Sequence, residues 1–471
     1  MSTYHSKKAA EFLKNKEKIT RHDKTFWGLR QKRDAMAMAL PEWEELREIS
    51  SQIKAHTITH LADYVEQFVE NLEKNGVVVH YANDAQEFNE IAYGILESHK
   101  VSKLVKSKSM LTEECEMNKY LIKRGIDVVE TDLGERILQL MHMKPSHIVV
   151  PASHISREDV GKTFEDLEIS YEKGNYDPTY LTHAARLSLR HEFEAAQAGM
   201  TGCNFGIADT GDCVVCTNEG NADMVASLPK LHIVAMGIEK IIPDFDALAV
   251  YQRLLARSGT GQPTTAYTSH YRKPRPSGEM HVILVDNGRS KMLRDEDDWS
   301  SLKCIRCGAC MNTCPVYRRT TGYSYSYFIP GPIGINLGML HDPEKYSGNV
   351  SACSLCLSCD HVCPAKVNPG SQIYNWRQRL QEYGTANTEK KVMAEGMKTV
   401  FSSYPLYDAI TKKSSLANYI PSKWLNNKTL NPWSIGHEMP KMAKMPFHAI
   451  FKKAMKELEK EKKQASKNPI L

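Results

Sequence analysis

The spacing of cysteines is the feature of this 471-residue chain that most limits how it can fold. Eight of the 12 cysteines fall in two short windows, and each window follows the pattern C-x2-C-x2-C-x3-C with a proline directly after it. The windows comprise Cys304, Cys307, Cys310 and Cys314, and then Cys353, Cys356, Cys359 and Cys363. Thiols concentrated in this way indicate metal or redox chemistry, because an intracellular chain of this length rarely uses a disulfide framework.

The repeated pattern predicts two [4Fe–4S] clusters, since it is the cysteine run of bacterial ferredoxins. Three thiolates two residues apart lie on one tight loop and bind one cube, whereas the fourth begins a departing segment whose backbone the proline restricts. In two-cluster ferredoxins the fourth cysteine binds the other cluster. The predicted ligands are therefore Cys304, Cys307, Cys310 and Cys363 for the first cluster, and Cys314, Cys353, Cys356 and Cys359 for the second.

Other interpretations of the two windows stay open at this point. Zn2+ also binds four thiolates, although its sites favour two separated C-x2-C pairs. Disulfides or unliganded thiols are a further alternative, as is a purely structural role for the clusters. The remaining four cysteines, Cys115, Cys203, Cys213 and Cys216, are interpreted as core residues. Cys213 and Cys216 lie three positions apart on a predicted strand and would point to opposite faces.

Charge and hydropathy exclude several classes of protein. The formal net charge of +5 is too small for this length to predict nucleic-acid binding. The first twenty residues lack the apolar segment of a secretory signal. The most apolar stretch, residues 231–251, is interrupted by Glu239, Lys240 and Pro243, so it does not predict a membrane span. We expect a soluble, cytoplasmic protein.

Apolar periodicity predicts four regions along the chain. Residues 1–75 are expected to be helical, with a possible break near Thr57. Residues 76–290 alternate helical patterns with short apolar runs, which predicts an α/β domain with a largely parallel sheet. A helical domain with both cysteine windows is expected at 291–400, and a tail region at 401–471. The predicted strands lie within 76–82, 103–109, 126–132, 147–153, 211–217, 231–237 and 280–286.

Polar residues after the predicted strands indicate a pocket, because open α/β sheets place their sites at the carboxyl ends of parallel strands. Lys106, Lys108 and Ser109 lie between a strand and a helix, where an anion is often bound. Polar loop residues that merely cap the helix would look the same. No G-x-G-x-x-G or Walker pattern occurs, so the sequence does not predict NAD, FAD or ATP binding.

Three carboxylates are candidate catalytic groups of this pocket. Glu130 follows one predicted strand, and Asp209 and Glu219 lie in turns bounded by glycine. Turn chemistry alone also explains acidic residues at such positions.

With these residues in view, the chain resembles the lactate-utilisation protein B family, in which a LUD domain is joined to a helical ferredoxin-like domain. The resemblance extends over residues 20–440. It rests on "KSKSM", "ETDLGE", "TGCNFGIADTGD", "TNEGNADM", "YFIPGPIGINL" and both cysteine runs. It implies that the α/β domain is similar to isomerases and CoA transferases. In the latter, a turn similar to "NEGNAD" carries a catalytic glutamate, which would correspond to Glu219.

The resemblance also implies a function. Members of the family act with a cysteine-rich subunit and a small LUD-only subunit to oxidise L-lactate to pyruvate. We expect this chain to be the electron-transfer subunit, with the two clusters passing electrons to an unidentified acceptor. If lactate binds within this chain, Lys106 or Lys108 is the predicted partner of its carboxylate.

Two alternative functions follow from the same residues. In one, the LUD domain is itself an isomerase- or transferase-like enzyme with accessory clusters, and Glu219 is a nucleophile or base. In the other, the chain is a scaffold or redox sensor whose clusters regulate assembly.

Overall fold

The structure is a computed structural model that describes residues 4–382, 388–420, 424, 427 and 441–465. Residues 4–382 belong to one compact unit, and the described residues from 388 onward belong to a second. The regional boundaries expected from the sequence stay predictions. Within the described ranges, no helix combines the length and the apolar character that crossing a bilayer requires.

Four helices precede the first strand: α1 (Tyr4–Phe12), α2 (Lys16–Met38), α3 (Trp43–Thr59) and α4 (Leu61–Lys74). The break between α3 and α4 falls at His60, close to the interruption expected near Thr57. Phe68 and Leu72 of α4 are fully buried against the sheet that follows.

The described residues form ten strands: β1 (Val78–Ala82), β2 (Lys103–Lys106), β3 (Asp127–Glu130), β4 (Ala198–Gly202), β5 (Phe205–Ile207), β6 (Asp212–Thr217), β7 (Leu231–Gly237), β8 (Ile241–Ile242), β9 (Tyr267–Tyr271) and β10 (Glu279–Val285). Six of them make a sheet in the order β1-β10-β7-β4-β2-β3, in which every pair is parallel. The other four make a smaller sheet, β8-β5-β6-β9, with two antiparallel pairs. The prediction of a largely parallel sheet is confirmed.

Helices connect the strands, and some of them cover the large sheet on its two faces. They are α5 (Ala85–Ser98), α6 (Met110–Glu114), α7 (Met117–Ile122), α8 (Leu133–Leu140), α9 (Arg157–Asp166), α10 (Pro178–Ala195), α11 (Asn221–Ser227), α12 (Phe245–Gly259) and α13 (Arg289–Leu293). Strands β7 and β10 are buried almost throughout, which explains why they are continuous apolar runs in the sequence.

One predicted strand is absent, and four of the observed strands, β4, β5, β8 and β9, were not predicted. Residues 147–153, expected to be a strand, form turns. The His147 ring accepts hydrogen bonds from the amides of Val149 and Val150 at 3.0 and 3.1 Å, and Pro151 has no amide proton for a ladder. The central strand β4 was not predicted because it lacks a run of β-branched residues. Its Gly199 is required there, since a Cβ would lie 1.9 Å from the carbonyl oxygen of Val225 in α11.

Short helices surround the cysteine windows: α14 (Ala309–Thr313), α15 (Pro315–Thr320), α16 (Gly331–His341), α17 (Pro343–Val350), α18 (Ser358–Val362) and α19 (Pro369–Glu382). All of them except α18 share one hydrophobic core with α2, and the fully buried Phe26, Met311 and Ile373 belong to it. The N-terminal helices therefore pack against the cysteine region as well as the sheet.

The second unit contains the helices α20 (Thr388–Phe401), α21 (Tyr404–Lys413) and α22 (Phe447–Ala465), together with a 3-10 segment at Ser414–Tyr419. Part of the tail region predicted at 401–471 lies outside the described residues.

Candidate functional site

The two cysteine windows have the same backbone conformation. Arg306 and Gly308 are left-handed, with φ of 60° and 80°, and Leu355 and Leu357 at the equivalent positions have φ of 54° and 57°. Each window then enters a helix of five residues. A left-handed conformation costs a residue other than glycine about 1–2 kcal/mol. Because the left-handed conformation recurs at matching positions of the two windows, the shape of these loops is kept despite its local energetic cost.

Backbone amides point at cysteine sulfurs in both windows. The amide nitrogens of Arg306 and Leu355 lie 3.4 and 3.3 Å from the sulfur of the first cysteine of their windows. Those of Tyr317 and Val367 lie 3.5 and 3.3 Å from the sulfur of the fourth. Such donors stabilise negative charge on sulfur, as cluster ligands require.

The fold brings the fourth cysteine of each window beside the other window. The thiols that act electrostatically on Cys310 are those of Cys304, Cys307 and Cys363. Those that act on Cys314 are Cys353 and Cys356. All 12 cysteines lie in the described part of the chain and are free thiols, and Cys356 alone among them is exposed.

Burial raises the pKa of six of the eight window thiols, which makes these six poor acids in the absence of a compensating charge. It raises the pKa of both Cys314 and Cys363 to about 11, even though nearby amides oppose the shift. Two sets of four thiols, seven of the eight buried or partly buried, with amide donors already in place, therefore fit iron–sulfur clusters, whose irons would supply the missing positive charge.

Cationic side chains gather beside the first set of thiols. Lys54, Lys240 and Arg306 lie close enough to Cys304 for their charges to interact with it. Arg47 donates a hydrogen bond of 2.9 Å to the carbonyl oxygen of Cys363. A cube with four thiolate ligands has a net negative charge, so these groups would favour its binding and its reduced state.

A cavity of about 370 Å³ lies between the large sheet and the first cysteine window. Gly202 and Gly237, at the carboxyl ends of β4 and β7, line one side of it, as expected for an open α/β sheet. Arg306 and Cys307 line the other. A molecule bound here would contact both the sheet and a residue of the cysteine window.

Glu219 lines this cavity, as do Lys108 and Ser109. Burial, assisted by the nearby Asp132, raises the pKa of Glu219 to about 7. One of its oxygens accepts a hydrogen bond of 3.2 Å from the amide of Leu133. A carboxyl group with this pKa can release or accept a proton near neutral pH, as a general acid or base must.

Two cavity lysines differ in their partners. Lys108 donates a hydrogen bond of 2.8 Å to the carbonyl oxygen of Val149. Lys240 has no hydrogen-bond or ion-pair partner within the described ranges, and burial lowers its pKa. Ser109 caps α6, but that helix has only five residues, which is too short for a substantial helix dipole.

Lys106 and Glu130 do not line the cavity, contrary to the expected roles in anion binding and catalysis. Lys106 is fully buried, and its ammonium lies 2.8 Å from Glu130, 3.0 Å from the Thr112 hydroxyl and 3.7 Å from Glu113. A lysine paired in this way has no free charge for a ligand. Asp209 does not line the cavity either, and it lies in an exposed turn after β5.

Sequence reasoning missed several residues that line the cavity. Glu239 and Arg289 form a buried ion pair there, and Arg289 also pairs with Glu114 at 3.0 Å. The position of Glu239 and Lys240 directly after the apolar run of β7 was the available signal. The four cysteines outside the windows fall into two groups, one in the core only and one that also lines the cavity. Cys115 and Cys213 are buried as predicted, whereas Cys203 and Cys216 pack on the core but also line the cavity.

Family models match two parts of the chain. A LUD domain model matches residues 65–292, and a 4Fe-4S dicluster domain model matches residues 300–367. Among solved structures, a DUF162 family protein from Deinococcus radiodurans matches with a TM-score of 0.28 and 13% identity, covering 48% of this chain and 98% of that chain. That likeness is too low to bear on the fold.

Curated relatives match nearly the whole chain. Lactate utilization protein B of Shouchella clausii is 41% identical over 89% of this chain and 90% of its own length. The protein of the same name from Oceanobacillus iheyensis is 38% identical, with the same coverage. The uncharacterized electron transport protein YkgF of Escherichia coli is 37% identical over 89% of this chain and 90% of its own. Identity of this extent shows that the chain belongs to the lactate utilization protein B family.

Proposed function

We propose that this chain transfers electrons through two [4Fe–4S] clusters during the oxidation of L-lactate to pyruvate. The ligands are Cys304, Cys307, Cys310 and Cys363 for the first cluster, and Cys314, Cys353, Cys356 and Cys359 for the second. The observation that carries this proposal is the shared left-handed loop conformation of the two windows, with the fourth cysteine of each beside the other. The match to a dicluster domain supports it as well. We also propose that the windows and the helices around them form a helical ferredoxin-like domain.

The clusters, when bound, accept and pass on single electrons. The cavity adjoins Cys307 of the first set, whereas the exposed Cys356 belongs to the second. Electrons therefore enter from the cavity side and leave near Cys356, where a partner can approach. Oxidation of a secondary alcohol to a ketone releases two electrons and two protons, so a group that accepts an electron pair must stand before the clusters. We assign that group to a partner subunit.

Lys240 and Lys108 are the proposed partners of the substrate carboxylate in the cavity. Lys240 is the stronger candidate, because its ammonium is desolvated and has no partner in the described part of the chain. Glu219 then takes the hydroxyl proton, since its pKa is raised to about 7, and the hydrogen on the adjoining carbon leaves with the electron pair to the acceptor of the partner subunit. Lys106, whose charge is already paired with Glu130, is no longer proposed for this role.

The names of the relatives connect them with lactate utilization and, in one protein, with electron transport. For this chain we propose the same setting. Its partners are a cysteine-rich subunit, a small LUD-only subunit and an acceptor that takes electrons from the second cluster.

Iron and acid-labile sulfide content, measured together with EPR spectra of the dithionite-reduced protein, tests the proposal on anaerobically purified material. We expect about eight irons per chain and the spectrum of two interacting clusters. Replacing Cys363 with serine should lose the first cluster, and Cys213→Ser is the matched control because Cys213 is a buried thiol outside the windows. Zinc in place of iron, or equal iron in the two variants, would contradict the proposed ligands.

A second function, an isomerase- or transferase-like activity of the LUD domain, is favoured by one observation, namely that Glu219 lies in the cavity with a raised pKa. The two functions differ in their response to Cys363→Ser. Electron transfer from lactate should stop in that variant, whereas an enzyme with accessory clusters should keep its turnover and lose it only with Glu219→Gln.

A further inference from the structure

Four polar side chains meet at the end of the large sheet that lies opposite the cavity. Glu279 and His281 begin β10, where they are in register with Leu231 and Ile233 at the start of β7. The cavity lies at the other end of β7, at Gly237. His99 follows the last residue of α5, and His80 comes from the neighbouring strand β1. This cluster is therefore separate from the proposed electron-transfer site.

The His99 ring has a defined proton on one nitrogen. Its Nδ1 lies 2.8 Å from the carbonyl oxygen of Ile95, which can only accept, and 3.1 Å from the Ser98 hydroxyl, which itself donates to that carbonyl, so Nδ1 donates. Its Nε2 lies 3.0 Å from a carboxylate oxygen of Glu279. In a neutral ring this nitrogen holds a lone pair, and two acceptors at that distance repel each other unless a positive centre lies between them.

His281 supplies an independent indication of a missing cation. Only 7% of this residue is exposed, and its Nε2 is buried with no hydrogen-bond partner in the described structure. Its Nδ1 lies 3.0 Å from Nε2 of His80. When Nδ1 donates to His80, the lone pair of Nε2 faces Glu279 at 3.5 Å.

Two nitrogen–oxygen separations are close to those of a tetrahedral metal site. Zinc–nitrogen and zinc–oxygen bonds of about 2.0–2.2 Å place neighbouring ligand atoms roughly 3.3–3.5 Å apart. Here the two nitrogen–oxygen distances are 3.0 and 3.5 Å, and all three ligand atoms lie within 4.8 Å of one another. The carbonyl of Ile95 and the ring of His80 orient the two imidazoles, as outer partners do in known sites.

We propose that His99, Glu279 and His281 bind a divalent metal ion of the Zn2+ type, with water in the fourth position. Imidazole and carboxylate ligands suit zinc, and three protein ligands leave one position open. The ion would join the end of α5 to the start of β10 and stabilise this end of the sheet. The proposal does not depend on the function of the cysteine windows.

Titration of the cluster-loaded full chain with Zn2+, under argon, tests the site. We expect one tight site in the wild type and at least about tenfold weaker binding in His99→Gln and in Glu279→Gln. Both side chains are partly exposed, so neither change should prevent folding. His191→Gln is the control, because His191 is a largely exposed histidine outside the cluster, and it should bind Zn2+ as the wild type does.

Cadmium NMR on the same protein identifies the ligand atoms. A chemical shift in the range of nitrogen and oxygen ligands, lost in Glu279→Gln, supports the site. A thiolate shift would overturn it, since it would place the ion on cysteines. Absence of Zn2+ binding in the wild type would overturn it too and would mean that a proton on His99 holds the contact with Glu279. Equal Zn2+ binding in the wild type and both variants would also overturn the proposed site.

Discussion

Replacing Lys106 with methionine should destabilise the chain strongly without weakening anion binding. The Lys106 side chain is fully buried, and its nearest carboxylate, on Glu130, is only 4% exposed. Burial alone would lower the pKa of Lys106, but the charges of Glu130 and Glu113 outweigh it and raise the pKa. Removing one partner of a buried ion pair leaves the other charge uncompensated and typically costs about 3–5 kcal/mol. We expect a loss of that size in the free energy of unfolding.

Lys103→Met is the matched control for this prediction. Lys103 lies on the same strand, but its ion pairs with Asp127 and Glu192 are partly in solvent, since the three side chains are 26%, 58% and 23% exposed. Pairs of this kind contribute about 0–1 kcal/mol. The double variant Lys106→Met/Glu130→Gln should recover part of the loss, because no unpaired charge then remains between these two positions.

Urea-induced unfolding of the cluster-loaded protein, followed by tryptophan fluorescence under argon, measures the stability of these variants. Binding of pyruvate at neutral pH, measured on the same samples, reports on the cavity. If Lys106→Met costs no more than Lys103→Met, the reasoning about the buried pair fails. If it keeps its stability and loses pyruvate binding, Lys106 is a ligand residue after all.

Three further outcomes follow from the site. Lys240→Met should weaken pyruvate binding at least about tenfold, because it removes a charge-assisted contact in a desolvated cavity; unchanged affinity in a direct titration would contradict this. Gly308→Ala should lower the iron content, since Gly308 has φ +80° and a Cβ would lie 3.0 Å from the His147 ring. Gly125→Ala, with φ +86° and no atom within 4 Å of its Cβ, should cost only about 1–2 kcal/mol of backbone strain and keep its iron. The carboxyl group of Glu219 holds its proton more tightly in the folded chain than in the unfolded one. Its contribution to the free energy of unfolding should therefore fall as pH rises from about 4.5 to about 7, and Glu219→Gln should make the slope in this range less negative in a series of denaturation curves.

Much of the cysteine region follows from the sequence alone. Ligand loops of this type are local, because three cysteines and the two left-handed positions between them lie within seven consecutive residues. The strands β7 and β10 could also be predicted from the sequence, since burial on both faces of the sheet requires continuous apolar runs. Strand β4 could not be predicted in this way, because its Gly199 is required by close contact with the backbone of α11, which lies later in the chain.

Which residues line the cavity depends on the tertiary structure. Lys106 and Lys108 lie two positions apart and have similar sequence surroundings. Lys106 is nevertheless paired with Glu130 of the neighbouring strand, whereas Lys108 lines the cavity. Lys240 and Arg306 reach the same cavity from the end of β7 and from a cysteine loop. Local patterns specify which residues form a strand or a loop. The partner of a charged side chain depends on which distant segments the packed sheet brings together, and the cost of leaving a buried charge unpaired then determines its role.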